Sequence, residues 1–332
     1  PEQSFTKLSA GYRGQDLGTA LADQFELLAY GQDNERALNF GIGPFGIGPG
    51  MSMEIDNRNF TDIRSYGLRA EARKLATPGL LLTYGVDIWK DRAEGTDNNT
   101  TIMTGFGPSP IERVDDTPAL PEASYFSLGT FFQGEIEATD RFSIVAGARW
   151  QHIAAETFAT PGLESQTPVS ITDGTVVAAA NALFRASDHV TLVGSVGRAF
   201  RSPNLIERFY DGATPEGSGY QIRNEDLDPE KSLNIDVGVR YRKGRVGLEA
   251  FAFRNRVFDG IRIQDLGYEI DGQQAHQNVN VEELIFRGIE FGGDADLGSG
   301  VTLDANYTWM DSKDALEESN PVGDSFSSKL VS

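Results

Sequence analysis

Phe142-Ser-Ile-Val-Ala-Gly-Ala-Arg-Trp-Gln151 alternates throughout. Phe142, Ile144, Ala146, Ala148 and Trp150 fall on one side of an extended chain, and Ser143, Val145, Gly147, Arg149 and Gln151 on the other. Successive side chains of a β-strand point to opposite faces, so the decamer reads as a strand with one apolar face and one mostly polar or small face. The same reading holds for Val301 to Met310, Leu80 to Ile88, Ile235 to Tyr241 and 285–297. Long helical patterns are missing.

These strands come in pairs. Short connectors fall at 76–79, 138–141, 186–189, 242–245 and 297–300, with a looser one near Gly14 to Thr19. Long segments rich in Gly, Pro, Asn and Asp lie between the pairs, at 32–61, 92–123, 153–173, 201–230 and 259–280, and read as loops. Loops of that length sit badly in a compact soluble domain. Short turns on one side and long loops on the other are expected of an outer-membrane β-barrel.

Composition agrees without deciding. The 332 residues carry 29 Lys+Arg against 49 Asp+Glu, a net charge of −20, which argues against a phosphate-reading nucleic-acid binder. Cysteine is absent, so there is no disulfide framework and no thiolate metal site. No apolar run is long enough for a membrane helix, but barrel strands need none. Trp150 and Trp309 each lie about ten residues beyond a short turn. At ~3.3 Å per residue and ~45° tilt that is roughly 23 Å, close to the ~25 Å apolar band of such barrels. With Phe142, Phe184 and Tyr241 beside the short turns, the pattern suggests two aromatic girdles. Arg69, Glu71, Arg73, Asp87, Glu135, Arg149, Asp236 and Glu249 fall on the polar face, hence toward a lumen.

The run Arg198-Ala-Phe-Arg-Ser-Pro-Asn-Leu-Ile-Glu-Arg-Phe209, followed by Arg223-Asn-Glu-Asp-Leu-Asp-Pro-Glu-Lys-Ser232 and Ile235-Asp-Val-Gly238, resembles the β-barrel of TonB-dependent outer-membrane receptors. Its motif positions are Phe200, Arg201, Pro203, Asn224, Leu227, Pro229 and Glu230. Supporting pieces are Ser127 to Glu135, Thr139 to Arg149, Phe251 to Asn255, Asn278 and Arg287-Gly-Ile-Glu290. The matches span 124–310; residues before 60 match in pattern alone.

The resemblance implies an all-β transmembrane antiparallel barrel of 22 strands, preceded by a plug domain and a TonB-contacting box. About twelve strands are countable here. The sequence has no signal-like start or plug-like region and ends at Lys329-Leu-Val-Ser332. Residues 1–332 are therefore expected to be part of a single barrel domain, with the N-terminal plug and C-terminal strands not in this chain. A self-contained twelve-stranded barrel is the competing expectation.

By the same resemblance the function would be uptake of an iron chelate, a ferric siderophore or haem, across the outer membrane of a Gram-negative bacterium. Its partners would be outer-membrane lipid and the TonB complex. No catalytic residue, resident cofactor or metal site is called for, iron arriving within the cargo. Two other readings stay open: a passive porin-type channel and an outer-membrane barrel enzyme.

Segment 201–230 holds the candidate ligand contacts Arg201, Arg208, Tyr210, Tyr220 and Arg223. Arginine pairs with carboxylates and tyrosine stacks on flat aromatic chelates. The plainer alternative for each is that it only orders the loop. The Phe-Arg-Ser-Pro and Asn-Glu-Asp-Leu elements also resemble the two boxes that flank a haem-ligating His in haem receptors. No His lies between Pro203 and Asn224, and Tyr210 and Tyr220 are the possible substitutes.

Other patterns are set aside. Gly41-Ile-Gly-Pro-Phe-Gly46 fits a dinucleotide fingerprint, but Pro44 and Pro49 forbid the helix it must open, so it reads as loop. Glu225-Asp-Leu-Asp228 and Asp311 to Glu318 offer oxygens for calcium without EF-hand spacing.

Overall fold

A computed structural model of the chain describes residues 2–214, 219–270 and 272–314. Among the described residues twelve long strands form one antiparallel meander. The first six are β1 (Glu2–Gly14), β2 (Gln24–Gly48), β3 (Met51–Thr77), β4 (Leu80–Thr104), β6 (Ala123–Thr139) and β7 (Phe142–Thr157). The next six are β8 (Ser170–Arg185), β9 (Val190–Arg201), β12 (Glu230–Lys243), β13 (Val246–Ile270), β14 (Gln273–Gly298) and β15 (Val301–Asp314). Three short strands, β5 (Ile111–Asp115), β10 (Gly212–Ala213) and β11 (Tyr220–Ile222), and one short helix, α1 (Leu205–Phe209), belong to the long connections. Each long strand pairs with its sequence neighbours. Among the described residues β1 pairs only with β2, and β1 does not meet β15, so the wall is open at both sides.

Cross-strand register sorts the two faces, because directly opposed residues share a face. On one face Phe142 opposes Phe184, Trp150 opposes Val176, Val196 opposes Ile235 and Ile289 opposes Trp309. Trp150 and Trp309 are 44% and 50% exposed there, as a lipid-facing surface requires. The other face is charged and internally paired. Arg149 donates to Asp87 at 2.5 and 2.8 Å and to Gln151 at 2.7 Å, and Glu71 sits between Arg69 and Arg73. Both the expected alternation and the inward charges are borne out.

Glycine on the polar face gives the large rings room to lie flat on the wall. Tyr30 opposes Gly67 and Phe251 opposes Gly238. A Cβ added at Gly238 would come within 2.2 Å of the Phe251 ring. Gly238→Val is therefore expected to cost about 1–3 kcal/mol through overpacking, read as a lowered urea midpoint, with Gly238→Val/Phe251→Ala recovering part of it.

The short connectors stand where the sequence placed them; Thr77 opposes Leu80 and Thr139 opposes Phe142. Two of the long segments are corrected throughout and a third in part, since 92–104 continue β4 and 111–115 form β5 beside it. Residues 32–61 and 259–280 are not loops but the continuation of hairpins β2–β3 and β13–β14, paired almost to their tips. The Gly41–Gly46 run is likewise strand, with a register shift between Ile42 and Phe45 that accommodates Pro44. Beyond Ala37 no β1 residue pairs with β2, so Pro44 sits on an edge where its missing N–H costs no ladder bond.

Candidate ligand-binding mouth

Residues 201–214 and 219–230 do not stand off the wall. They fold across the polar face at the long-loop end. Pro203-Asn204-Leu-Ile-Glu207 starts α1 with a capping box: Asn204 Oδ1 accepts from the Glu207 N–H at 2.8 Å, and a Glu207 carboxylate oxygen accepts from the Asn204 N–H at 2.8 Å. The helix sets Leu205 and Phe209 onto Ala93, Ala123 and Ala155, small residues on neighbouring strands that leave space for them. Phe209 is fully buried.

A polar cluster locks this docking. Arg208, fully buried, donates to Asp173 Oδ2 and to the Leu227 carbonyl, both at 2.9 Å, and Ser202 Oγ donates to the same Asp173 oxygen at 2.5 Å. Arg208 Nε and Nη1 have no partner among the described residues. Arg201 pairs with Glu207 at 2.8 Å and with Glu230. Asn224 donates to the Asn278 carbonyl at 2.8 Å, while Asn278 donates to the Glu207 carbonyl at 3.1 Å. Asn280 clasps the backbone of Asp228 through 2.8 and 2.9 Å bonds. Strand β11 then adds in parallel to β14, Tyr220 opposite Ala275.

The candidate contacts thus divide. Arg201 and Arg208 are committed to carboxylates within the loop and its support, and Arg208 is sealed from solvent. Arg223 lies in reach of Gln166 (3.1 Å) and Glu225 (3.2 Å), and Tyr210 and Tyr220 are half-buried, Tyr210 packing against the cluster around Leu205 and Phe209. Tyr210 donates its hydroxyl to the Ala213 carbonyl at 2.6 Å. Of the motif residues, Pro203 and Leu227 are buried and Asn224 and Glu230 are hydrogen-bonded; Phe200 and Pro229 are half-buried. Asp173, Asn204 and Asn280 were not singled out from the sequence. The Asn204-x-x-Glu207 spacing was the available sign for one of them.

Asp211 follows α1, its N–H donating to the Ala119 carbonyl at 2.7 Å. Burial holds its carboxyl above the ordinary carboxylate range, against the opposing pull of Arg223. A raised folded-state value contributes stability that is present below the unfolded value and lost as pH rises through the folded one. Docking should therefore loosen as Asp211 ionises, and Asp211→Asn should flatten that dependence in a pH series of limited proteolysis.

Of the carboxylates suggested for calcium, Glu225 pairs with Arg223 at 3.2 Å and Asp311 with Arg287 at 2.8 Å, while 315–318 lie outside the described residues. Neither His152 nor His189 faces the mouth; His152 stacks on Trp150 and His189 meets Tyr241 edge-on.

The model of the family described as TonB dependent receptor-like, beta-barrel matches residues 2–328. The chain belongs to this family. The ferrienterobactin receptor of Escherichia coli K12 is 25% identical over 246 residues, 69% of this chain and 30% of that protein. The ferric enterobactin receptor of Pseudomonas aeruginosa is 24% identical over 91% of this chain and 40% of its own length. Among solved structures the copper transporter OprC superposes with a TM-score of 0.70 at 17% identity, over 94% of this chain and 46% of that one. The chain thus spans less than half the length of each of these proteins. In this TonB-dependent receptor barrel the polar face is the lumen wall, and the Phe-Arg-Ser-Pro and Asn-Glu-Asp-Leu elements are where the wall grips its inward-folded loop.

Proposed function

We propose that this chain is wall and outer mouth of an outer-membrane receptor for TonB-coupled uptake of an iron chelate, a ferric siderophore or haem, in a Gram-negative bacterium. The observation that carries the reading is the inward-docked segment 201–230. A loop tied across the lumen by a buried ion pair offers a preorganised surface, which lowers the ordering cost a receptor must meet on binding. The names of the two enterobactin receptors support iron chelates as the cargo class. In this reading Tyr210, Tyr220 and Arg223 meet the cargo, and Arg201 and Arg208 hold the loop that presents them. The open sides of the sheet and the partial coverage of relatives support a larger, 22-stranded barrel with a plug outside this chain.

The test is growth of a strain lacking the whole gene on a panel of sole iron sources, beside a strain lacking TonB. Loss of growth on one chelate in both strains is the expected result. Normal chelate uptake without TonB, or free diffusion of sugars in liposome swelling, would instead support the porin reading.

A further inference from the structure

Register gathers cations on the lipid face just outside the outer aromatic girdle. The row through the girdle runs Gly194, Val237, Ala252, Ile289 and Trp309 across β9, β12, β13, β14 and β15. Two residues nearer the long-loop end, the row reads Val196, Ile235, Arg254, Arg287 and Asp311. The row after that reads Arg198, Leu233, Arg256, Ile285 and Lys313. At ~3.3 Å per residue and ~45° tilt these rows lie roughly 5 and 9 Å outside Trp309, the depth of lipid headgroups. The cations are particular to this sector. Across β6, β7 and β8 the two rows beyond Trp150 carry Leu128, His152 and Gly174, then Phe126, Ala154 and Thr172, with no Lys or Arg among them.

Carboxylates on this face neutralise the patch in part. Arg287 pairs with Asp311 at 2.8 Å, and Arg256 pairs with Glu283 one row farther out, where Lys231 meets Asp259 at 3.4 Å. Arg198, Arg254 and Lys313 are exposed and have no ion-pair partner among the described residues. Arg254 also stands directly opposite Arg287, and like charges so opposed repel. Opposed side chains start about 5 Å apart, so one phosphate can accept from both guanidiniums and remove that repulsion. On the membrane side of these cations Val196, Ile235 and Val237 are 46%, 44% and 56% exposed, an apolar bed for acyl chains. A cationic rim above an apolar bed is complementary to a phosphorylated lipid rather than to a soluble anion.

We propose that the lipid face of β9 and β12–β15 holds a phosphate-bearing lipid of the surrounding leaflet, its phosphate between Arg254 and Arg287, with Arg198 and Lys313 alongside. The proposal rests on the lipid-facing reading of this surface. Its test uses the full-length receptor in detergent, with bisphosphorylated lipid A and its fully dephosphorylated analogue as probes, and native mass spectrometry counts the lipid retained. The phosphorylated probe should be held about 10-fold tighter or more, and Arg198→Gln/Arg254→Gln should remove that preference. Lys313→Gln, on a different strand, should weaken retention about 5-fold. Lys90→Gln, on the lipid face opposite Phe126, should change nothing. Heat-modifiable gel migration checks that each barrel has assembled. Inorganic phosphate, which has no acyl chains, should be lost on dilution. Equal retention of the two lipids, wild-type retention in both patch variants, or retention of inorganic phosphate alone would overturn the proposal and leave the lipid-facing reading standing. A receptor that stays soluble without detergent and enters no vesicle would overturn both.

Discussion

Asp173→Asn is expected to undock segment 201–230 while the barrel wall persists. The substitution leaves Arg208 charged, fully buried and without the carboxylate it donates to at 2.9 Å. Removing one partner of a buried ion pair costs about 3–5 kcal/mol, because the other charge stays desolvated. The Leu227 carbonyl is the remaining acceptor, and Nε and Nη1 have none among the described residues, so the upper part of that range applies. Arg208→Met should cost less, since Asp173 keeps the Ser202 hydroxyl at 2.5 Å. Replacing both, Arg208→Met/Asp173→Leu, should recover much of the loss, as an apolar pair of similar size needs no compensation. Limited trypsin digestion reads the effect directly, as new cleavage at Arg201 and Arg223 in Asp173→Asn before any loss of barrel migration on gels. Wild-type cleavage rates in Asp173→Asn would show that the Ala93, Ala123 and Ala155 contacts hold the loop without the ion pair.

That outcome also explains which parts of the molecule could be read from sequence. Strand alternation survived because lipid on one side and water on the other impose period two on every residue between a short turn and the rim. The tips of hairpins β2–β3 and β13–β14 stand beyond that constraint. Their Gly, Asn and Pro read as loop, yet most of the backbone there pairs across the hairpin, and pairing outweighs weak local propensity. The family motif was legible as a pattern, but its physical role was not. Arg201 and Arg208 looked like ligand-binding cations because nothing in the sequence shows that Glu207, Glu230 and Asp173 reach them. Asp173, on β8, lies 35 residues from Arg208 on α1, a separation only the fold closes. Even so, Asn204 and Glu207 three positions apart were a local helix-start signal.

The lipid-facing surface gives the second large effect. Val237 opposes Gly194, near the middle of the stretch in which β9 and β12 pair, from Val190 opposite Tyr241 to Arg201 opposite Glu230. It is 56% exposed on the apolar face, while its neighbour Asp236 points to the lumen beside Ser195. Arginine at the midplane of a barrel's lipid face costs about 2–4 kcal/mol, falling toward zero at the interfaces. Val237→Arg should therefore destabilise the assembled barrel by that amount in a urea titration in vesicles. Leu233→Arg, opposite Arg198 at the rim, should cost well under half as much. Asp236→Asn, one residue away but facing water in the lumen, should change the midpoint little. The contrast between adjacent positions is the decisive part. In a water-soluble sheet an exposed valine tolerates arginine as readily as an exposed aspartate tolerates asparagine, so equal and small effects at Val237 and Asp236 would remove the membrane from the account of this fold. A depth-dependent penalty confined to the apolar face would tie the alternation of the chain to the bilayer that selects it.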